Sequence, residues 1–209
     1  MNVLKKAPDG LYKTGFALSG GGIKGLCHAG VLKALEEKGI FPDIISGVSA
    51  GAVVGALYAD GYSPDEIARL FEDISFRKMT KIRIPEGGLF RIDAFEDFMY
   101  KNLRAKTFEE LRIPLRIVAT DLDKGRSVVF DKGNLIDPIV ASCSVPLLFT
   151  PKRINGVHYV DGGVLKNFPV STIRDDCRTV IGINASPLVA DEYKLSLLNV
   201  ASRTYHFMF

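Results

Sequence analysis

The chain has 209 residues, 47% hydrophobic and 24% charged, an ordinary globular composition long enough to bury one sizeable core. A formal charge of +3, with Lys and Arg spread among Asp and Glu, makes no case for a nucleic-acid partner. Cys27, Cys143 and Cys177 form no Cys-x-x-Cys pair, and His28, His158 and His206 have no ligand spacing, which argues against a metal. The sparse cysteines read as reduced thiols. Residues 1–15 carry no signal-like apolar run, and no stretch approaches the ~18–20 apolar residues of a membrane span. The expectation is one soluble, cytoplasmic domain covering residues 1–209.

In chain order, residues 14–19 read as a buried strand running into Gly20-Gly21-Gly22. Residues 26–38 read as a helix ended at Gly39, residues 43–48 as a second strand, and residues 50–59 as a small-residue helix. Ser63-Pro64-Asp65-Glu66 predicts a helix start with a capping box, running to Asp73. Strands are expected at 115–121, 127–131, 157–160 and 179–184, with helices at 134–142 and 192–207. Strands alternating with helices make an α/β fold with a mostly parallel sheet. Residues 76–106 fit less well. Basic residues such as Arg77, Lys78, Lys81 and Arg83 are interleaved there with Phe76, Phe90, Phe95 and Phe98. This stretch reads either as a solvated connection with an amphipathic helix at 93–103, or as a basic, aromatic cap that meets anionic lipid at the membrane periphery.

Three glycine-marked sites carry the chemistry. Gly20-Gly21-Gly22-Ile23-Lys24-Gly25 lies between a strand and a helix, where free backbone amides and the helix dipole hold an anion. A dinucleotide site would need an acidic residue at the end of the second strand. That end carries Gly47-Val48-Ser49 instead, and Lys24 is followed by Gly25 and not by the Ser or Thr of a P-loop. Gly47-Val48-Ser49-Ala50-Gly51 is a G-x-S-x-G between a strand and a helix, the context of a nucleophile elbow, although Ser49 could equally be a plain helix N-cap. Asp161-Gly162-Gly163 closes a strand and could be a simple turn. A serine nucleophile needs a base. His158 precedes Asp161 within a strand, and His206 lies near the chain end, so neither suits a Ser-Asp-His order and a direct Ser–Asp dyad is the economical arrangement.

Taken in order and spacing, these three motifs resemble those of the bacterial patatin-like phospholipases. Residues 25–38, Ala119-Thr120-Asp121 and 141–146 (Ala-Ser-Cys-Ser-Val-Pro) extend the resemblance over residues 14–185. The resemblance implies a three-layer α/β/α sandwich with a mostly parallel central sheet. It implies cleavage of fatty-acyl esters of phospholipids or other lipids through an acyl-enzyme, without cofactor or metal. By position it makes Ser49 the nucleophile and Asp161 the base. Gly20, Gly21, Gly22, Ile23, Lys24 and Gly25 would form the oxyanion loop, with Gly47, Gly51, Gly162 and Gly163 supporting the motifs. Lys24 stands where many members carry Arg and lacks its planar fork. Chains of the family often continue past the point where Phe207-Met208-Phe209 ends this one, and this apolar end reads as a shortened chain, a membrane-facing end or a partner-binding end. The alternatives are a Ser-His-Asp esterase using His158 or His206, and a non-catalytic member of the fold that binds lipid or protein.

Overall fold

The computed structural model describes residues 11–73, 81–82, 90–186 and 195–196. The apolar runs become strands with period-two burial. In β1 (Tyr12–Leu18), Phe16 and Leu18 enter one core and Ala17 the other. The 3-10 turn Gly22–Leu26 leads into α1 (Cys27–Glu36), whose chain leaves through Gly39 at φ 68°. β2 (Ile44–Val48) is buried throughout, and α2 (Ala50–Ala59) is buried at all ten positions because its Ala and Gly side chains let it lie close to the sheet. α3 (Pro64–Asp73) starts on the expected capping box: the Ser63 amide donates to Glu66 Oε2 (2.8 Å) and the Glu66 amide to Ser63 Oγ (3.3 Å).

Two short antiparallel strands, β3 (Lys81–Ile82) and β4 (Phe90–Arg91), precede α4 (Asp93–Asn102), the amphipathic helix expected at 93–103. The rest of the basic stretch 76–106 is described only in part, and the expected helix at 192–207 lies outside the described residues except for Leu195 and Ser196. β5 (Leu115–Asp121) and β6 (Arg126–Phe130) form an antiparallel pair, followed by α5 (Ile136–Ser142). β7 (Lys152–Ile154), absent from the sequence reading, pairs with β8 (Val157–Asp161) through Asn155 and Gly156, both at positive φ (49° and 85°), as in a type I′ hairpin. Short α6 (Gly163–Lys166) and two 3-10 turns lead to β9 (Cys177–Ile183).

The seven-stranded sheet is mixed: β9, β1, β2 and β5 are parallel, whereas β6, β7 and β8 run antiparallel to their neighbours. Its register has a consequence for the site. β2 pairs with β5 up to Val48↔Val118, and β8 pairs with β5 from Ala119↔Asp161 onward. β6 shares Ile117 and Val118 with β2 and residues 119–121 with β8, so it must occupy the other side of β5. β2 and β8 therefore lie on one side of β5 and meet end to end. The sheet forks there, into a parallel branch through β2, β1 and β9 and an antiparallel branch through β8 and β7. On one face α1, α2, α3 and α5 cover a core that includes Phe16, Leu18, Ile45, Leu57, Ile117 and Ile139. On the other, Ala17, Ile44 and Cys177 pack with Ile173 from the turns after α6.

Candidate active site

The fork brings together the two residues singled out for catalysis, because Ser49 follows the last residue of β2 and Asp161 is the last of β8. Ser49 adopts φ 50°, ψ −121°, a conformation that costs a side-chain-bearing residue about 1–3 kcal/mol. It occupies the N-cap position of α2, its carbonyl accepting the Ala52 (2.9 Å) and Val53 (3.1 Å) amides, but its side chain makes no cap hydrogen bond. The strained turn is held from α5. The Ser49 amide donates to Ser142 Oγ (2.8 Å), and that hydroxyl donates to the Val118 carbonyl (2.7 Å), with Ser142 fully buried. Gly47 and Gly51 are required by close backbone approach: a Cβ on Gly51 would stand 2.4 Å from the Leu18 carbonyl oxygen, and one on Gly47 2.5 Å from the Gly51 oxygen.

Asp161 is wholly buried. Its amide donates to the Ser144 carbonyl (2.9 Å), and its Oδ1 accepts the Gly163 amide (2.7 Å). Burial pushes its carboxyl up to about 7, while hydrogen bonding by Ser49 and by the Gly163 amide pulls the other way. Oδ2 itself has no partner of good hydrogen-bond geometry. The Ser49 hydroxyl stands close enough to the carboxyl to lower its pKa. The Asp-Gly step is no β-turn, since Gly162 at φ −63° leads directly into α6. Cys143, which the sequence reading did not assign to the site, is a third neighbour: burial chiefly, then the Asp161 charge, push its thiol up, and Ser49 partly offsets them.

The glycine loop lies against this pair. A Cβ on Gly20 would be 3.4 Å from Ser49 Cβ, and one on Gly25 would meet Ala50 Cβ at 2.3 Å. The structure narrows the predicted set of oxyanion donors. The Gly20 amide is taken by the Asn167 carbonyl (3.0 Å), and the Lys24 amide by Gly21 (3.0 Å). Gly25 is buried inside the 3-10 turn. Among the described residues the amides of Gly21, Gly22 and Ile23 have no partner, as expected at the open start of a helical turn. Ala50, at the head of α2, likewise has an unpaired amide, which the sequence reading did not single out. Ser19 anchors the loop: its Oγ donates to the Gly20 carbonyl (2.8 Å) and accepts the Ala185 amide (2.8 Å).

His28 and His158 stand apart from this chemistry. His28 is buried, with Nε2 2.9 Å from the Ser19 carbonyl, and burial lowers its basicity, so a neutral ring donates there. His158 lies on the opposite side of β8 from Asp161 by strand alternation, exposed and 3.2 Å from Asp123 Oδ1. His206 lies outside the described residues. Among the described residues no group of His, Cys, Asp and Glu could hold a metal ion, and no helix is long and apolar enough to cross a membrane.

Known proteins share this arrangement of sequence and fold. The chain is 32% identical over 215 residues to the uncharacterized protein YqhO of Bacillus subtilis, covering 87% of this chain and 74% of that one. It is 34% identical over 181 residues to an NTE family protein of Mycobacterium tuberculosis, covering 85% of this chain but only 48% of the relative. The crystal structure of VipD from Legionella pneumophila superimposes with a TM-score of 0.65 at 17% identity, over 98% of this chain and 57% of that one, which establishes the shared fold. The family model described as patatin-like phospholipase matches residues 16–173, and the chain belongs to that family.

Proposed function

We propose that this protein hydrolyses fatty-acyl esters of lipids with Ser49 as nucleophile and Asp161 as its base. The observation that carries this reading is the pairing at the fork: a strained serine beside a buried carboxylate whose Oδ2 is unpartnered. Membership of the patatin-like phospholipase family supports lipid as the substrate class. As Ser49 Oγ bonds to the ester carbonyl carbon, its proton passes to Asp161 and the carbonyl oxygen becomes an oxyanion. The free amides of Gly21, Gly22 and Ile23 receive that charge, each such donor contributing ~3–4 kcal/mol to barrier reduction. Collapse breaks the ester C–O bond, and the departing alcohol takes the proton from Asp161. Water then attacks the acyl-serine, again giving a proton to Asp161, and release of the fatty acid returns that proton to Ser49.

A carboxylate of ordinary pKa, ~4, is a poor base for a hydroxyl. One raised to about 7 sits near the working pH, where general bases are most effective. The engagement of His158 with Asp123 favours this dyad over a triad that uses His158. The test is hydrolysis of p-nitrophenyl esters and defined phospholipids by the purified chain, with fluorophosphonate labelling read at Ser49. Ser49→Ala and Asp161→Asn are each expected to abolish turnover. Full activity in either variant would refute the dyad.

A further inference from the structure

We propose that the rim of this site is also a docking face, built from three loops without acidic residues, that seats the protein on an anionic lipid bilayer. The inference rests on the lipid-hydrolase reading for its purpose but not for its geometry. Three segments border Ser49 and Asp161: residues 20–26, where a Cβ on Gly20 would stand 3.4 Å from Ser49 Cβ; residues 143–149, whose Ser144 carbonyl accepts the Asp161 amide; and residues 162–168, which follow Asp161 in the chain. Hydrogen bonds link the segments around the pair. The Gly20 amide to the Asn167 carbonyl (3.0 Å) joins the first to the third, and the Asp161 amide to the Ser144 carbonyl (2.9 Å) joins the second to the strand that delivers the third.

Each segment holds an aliphatic side chain out into solvent: Ile23 is 90% exposed, Leu147 77% and Leu165 51%. Phe168 and Leu26 add further exposed apolar area on the same loops. Single exposed aliphatic residues are normal on any protein surface. Leu122, for example, lies exposed between Asp121 and Asp123. The rim differs in two respects. Its three segments contain no Asp or Glu, and their only charges are Lys24 and Lys166, so its electrostatic complement is an anionic surface. Leu147 is also held at φ 69°, inside a turn closed by the Phe149 amide on the Val145 carbonyl (2.9 Å). A branched side chain at positive φ is strained, and the hydrogen-bonded turn maintains that conformation with Leu147 exposed.

The experiment is co-flotation with vesicles of phosphatidylglycerol or of phosphatidylcholine alone, using wild type, Ser49→Ala, and the double variant Leu147→Asn/Leu165→Ser. Asn tolerates the left-handed backbone at position 147, and neither position belongs to the catalytic machinery. Wild type and Ser49→Ala are expected to float with phosphatidylglycerol and to stay behind with phosphatidylcholine. Each aliphatic removed should lower partitioning roughly tenfold, while the double variant hydrolyses soluble p-nitrophenyl butyrate at the wild-type rate. Equal flotation of the double variant would overturn the proposal. So would failure of wild type to float, or a dimer in sedimentation that the double variant abolishes without any vesicle binding. Flotation without hydrolysis of any ester would sink the hydrolase reading and leave the docking face standing.

Discussion

Replacing Asp161 with Asn should kill the enzyme and make it more stable at alkaline pH. Asp161 titrates at about 7 in the fold, against ~3.9 in an unfolded chain. A raised acid pKa means that folding disfavours the charged form. Stability is therefore greatest below the unfolded value, falls as pH rises from ~4 to ~7, and is level above that. A difference of ~3 units amounts to about 4 kcal/mol of burial cost at pH 8. Asn removes this cost and keeps an oxygen for the Gly163 amide (2.7 Å in the native protein). Its own amide, however, takes the place of the unpartnered Oδ2, at roughly 1–3 kcal/mol. The net gain at pH 8 is about 2 kcal/mol, or ~4–8 °C in melting temperature for a chain of this size. The gain should vanish at about pH 5–6, and near pH 4, where Asp161 is protonated in the fold, the Asn variant should be the less stable by about 2 kcal/mol. Denaturant unfolding of both proteins across this range measures it. In parallel, kcat of the wild type should rise about tenfold per unit below pH 7 and level off above it. An Asn variant no more stable than wild type at pH 8, together with a flat rate profile from pH 6 to 8, would refute the assignment of a buried, titrating base.

Ser142→Ala removes the hydroxyl that links the Ser49 amide to the Val118 carbonyl. It should lower kcat roughly 10–100-fold with little change in KM, the scale of one lost buried hydrogen-bonding group; an unchanged kcat would show that the elbow holds itself. Gly51→Ala would drive a methyl to 2.4 Å from the Leu18 carbonyl oxygen, where only backbone could yield, and should destabilise by ~3 kcal/mol in chemical denaturation. His158→Ala should leave ester hydrolysis within about twofold of wild type, because the ring faces Asp123 on the far side of β8. A loss of tenfold or more would restore the triad.

The parallel half of the fold is legible because its strands are short apolar runs bounded by glycine and proline. β1, β2 and β5 lie where residues 14–19, 43–48 and 115–121 predict them, to within two residues. The Ser63–Glu66 capping box marks α3 for the same local reason. The antiparallel branch is harder to read. Lys152-Arg153-Ile154 has little apolar pattern, and β7 announces itself only through Asn155-Gly156, a short-range hairpin signal that hydrophobic periodicity does not register. That omission hides the fork. Ser49 and Asp161 are recognisable one at a time, but their proximity depends on where β2 stops along β5 and β8 begins, a register that no local pattern encodes. Ser142 is hidden for a similar reason, since its role exists only once α5 is packed over Val118.

The glycines of the three motifs follow a common physical rule. Gly20 faces Asn167 and Ser49, Gly25 faces Ala50, Gly51 faces the end of β1, and a Cβ on Gly162 would stand 2.3 Å from the Val118 carbonyl oxygen. Gly25, Gly51 and Gly162 each mark a place where one segment crosses another too closely for a Cβ, and at Gly20 the Asn167 side chain would have to move. These crossings bring the head of α2, the loop after β1 and the end of β8 within reach of one serine. The same crowding excludes water from Asp161, and that exclusion raises its carboxyl to about 7. In this family member, the tight packing demanded by the glycines and the basicity demanded of the aspartate thus have one cause. A substitution that loosens a crossing, such as Gly162→Ala against the Val118 oxygen, is then expected to lower the Asp161 pKa as well as stability. It would shift the rising limb of the rate profile toward acid. A variant that is destabilised but keeps the wild-type pH midpoint would separate the two effects and break the link.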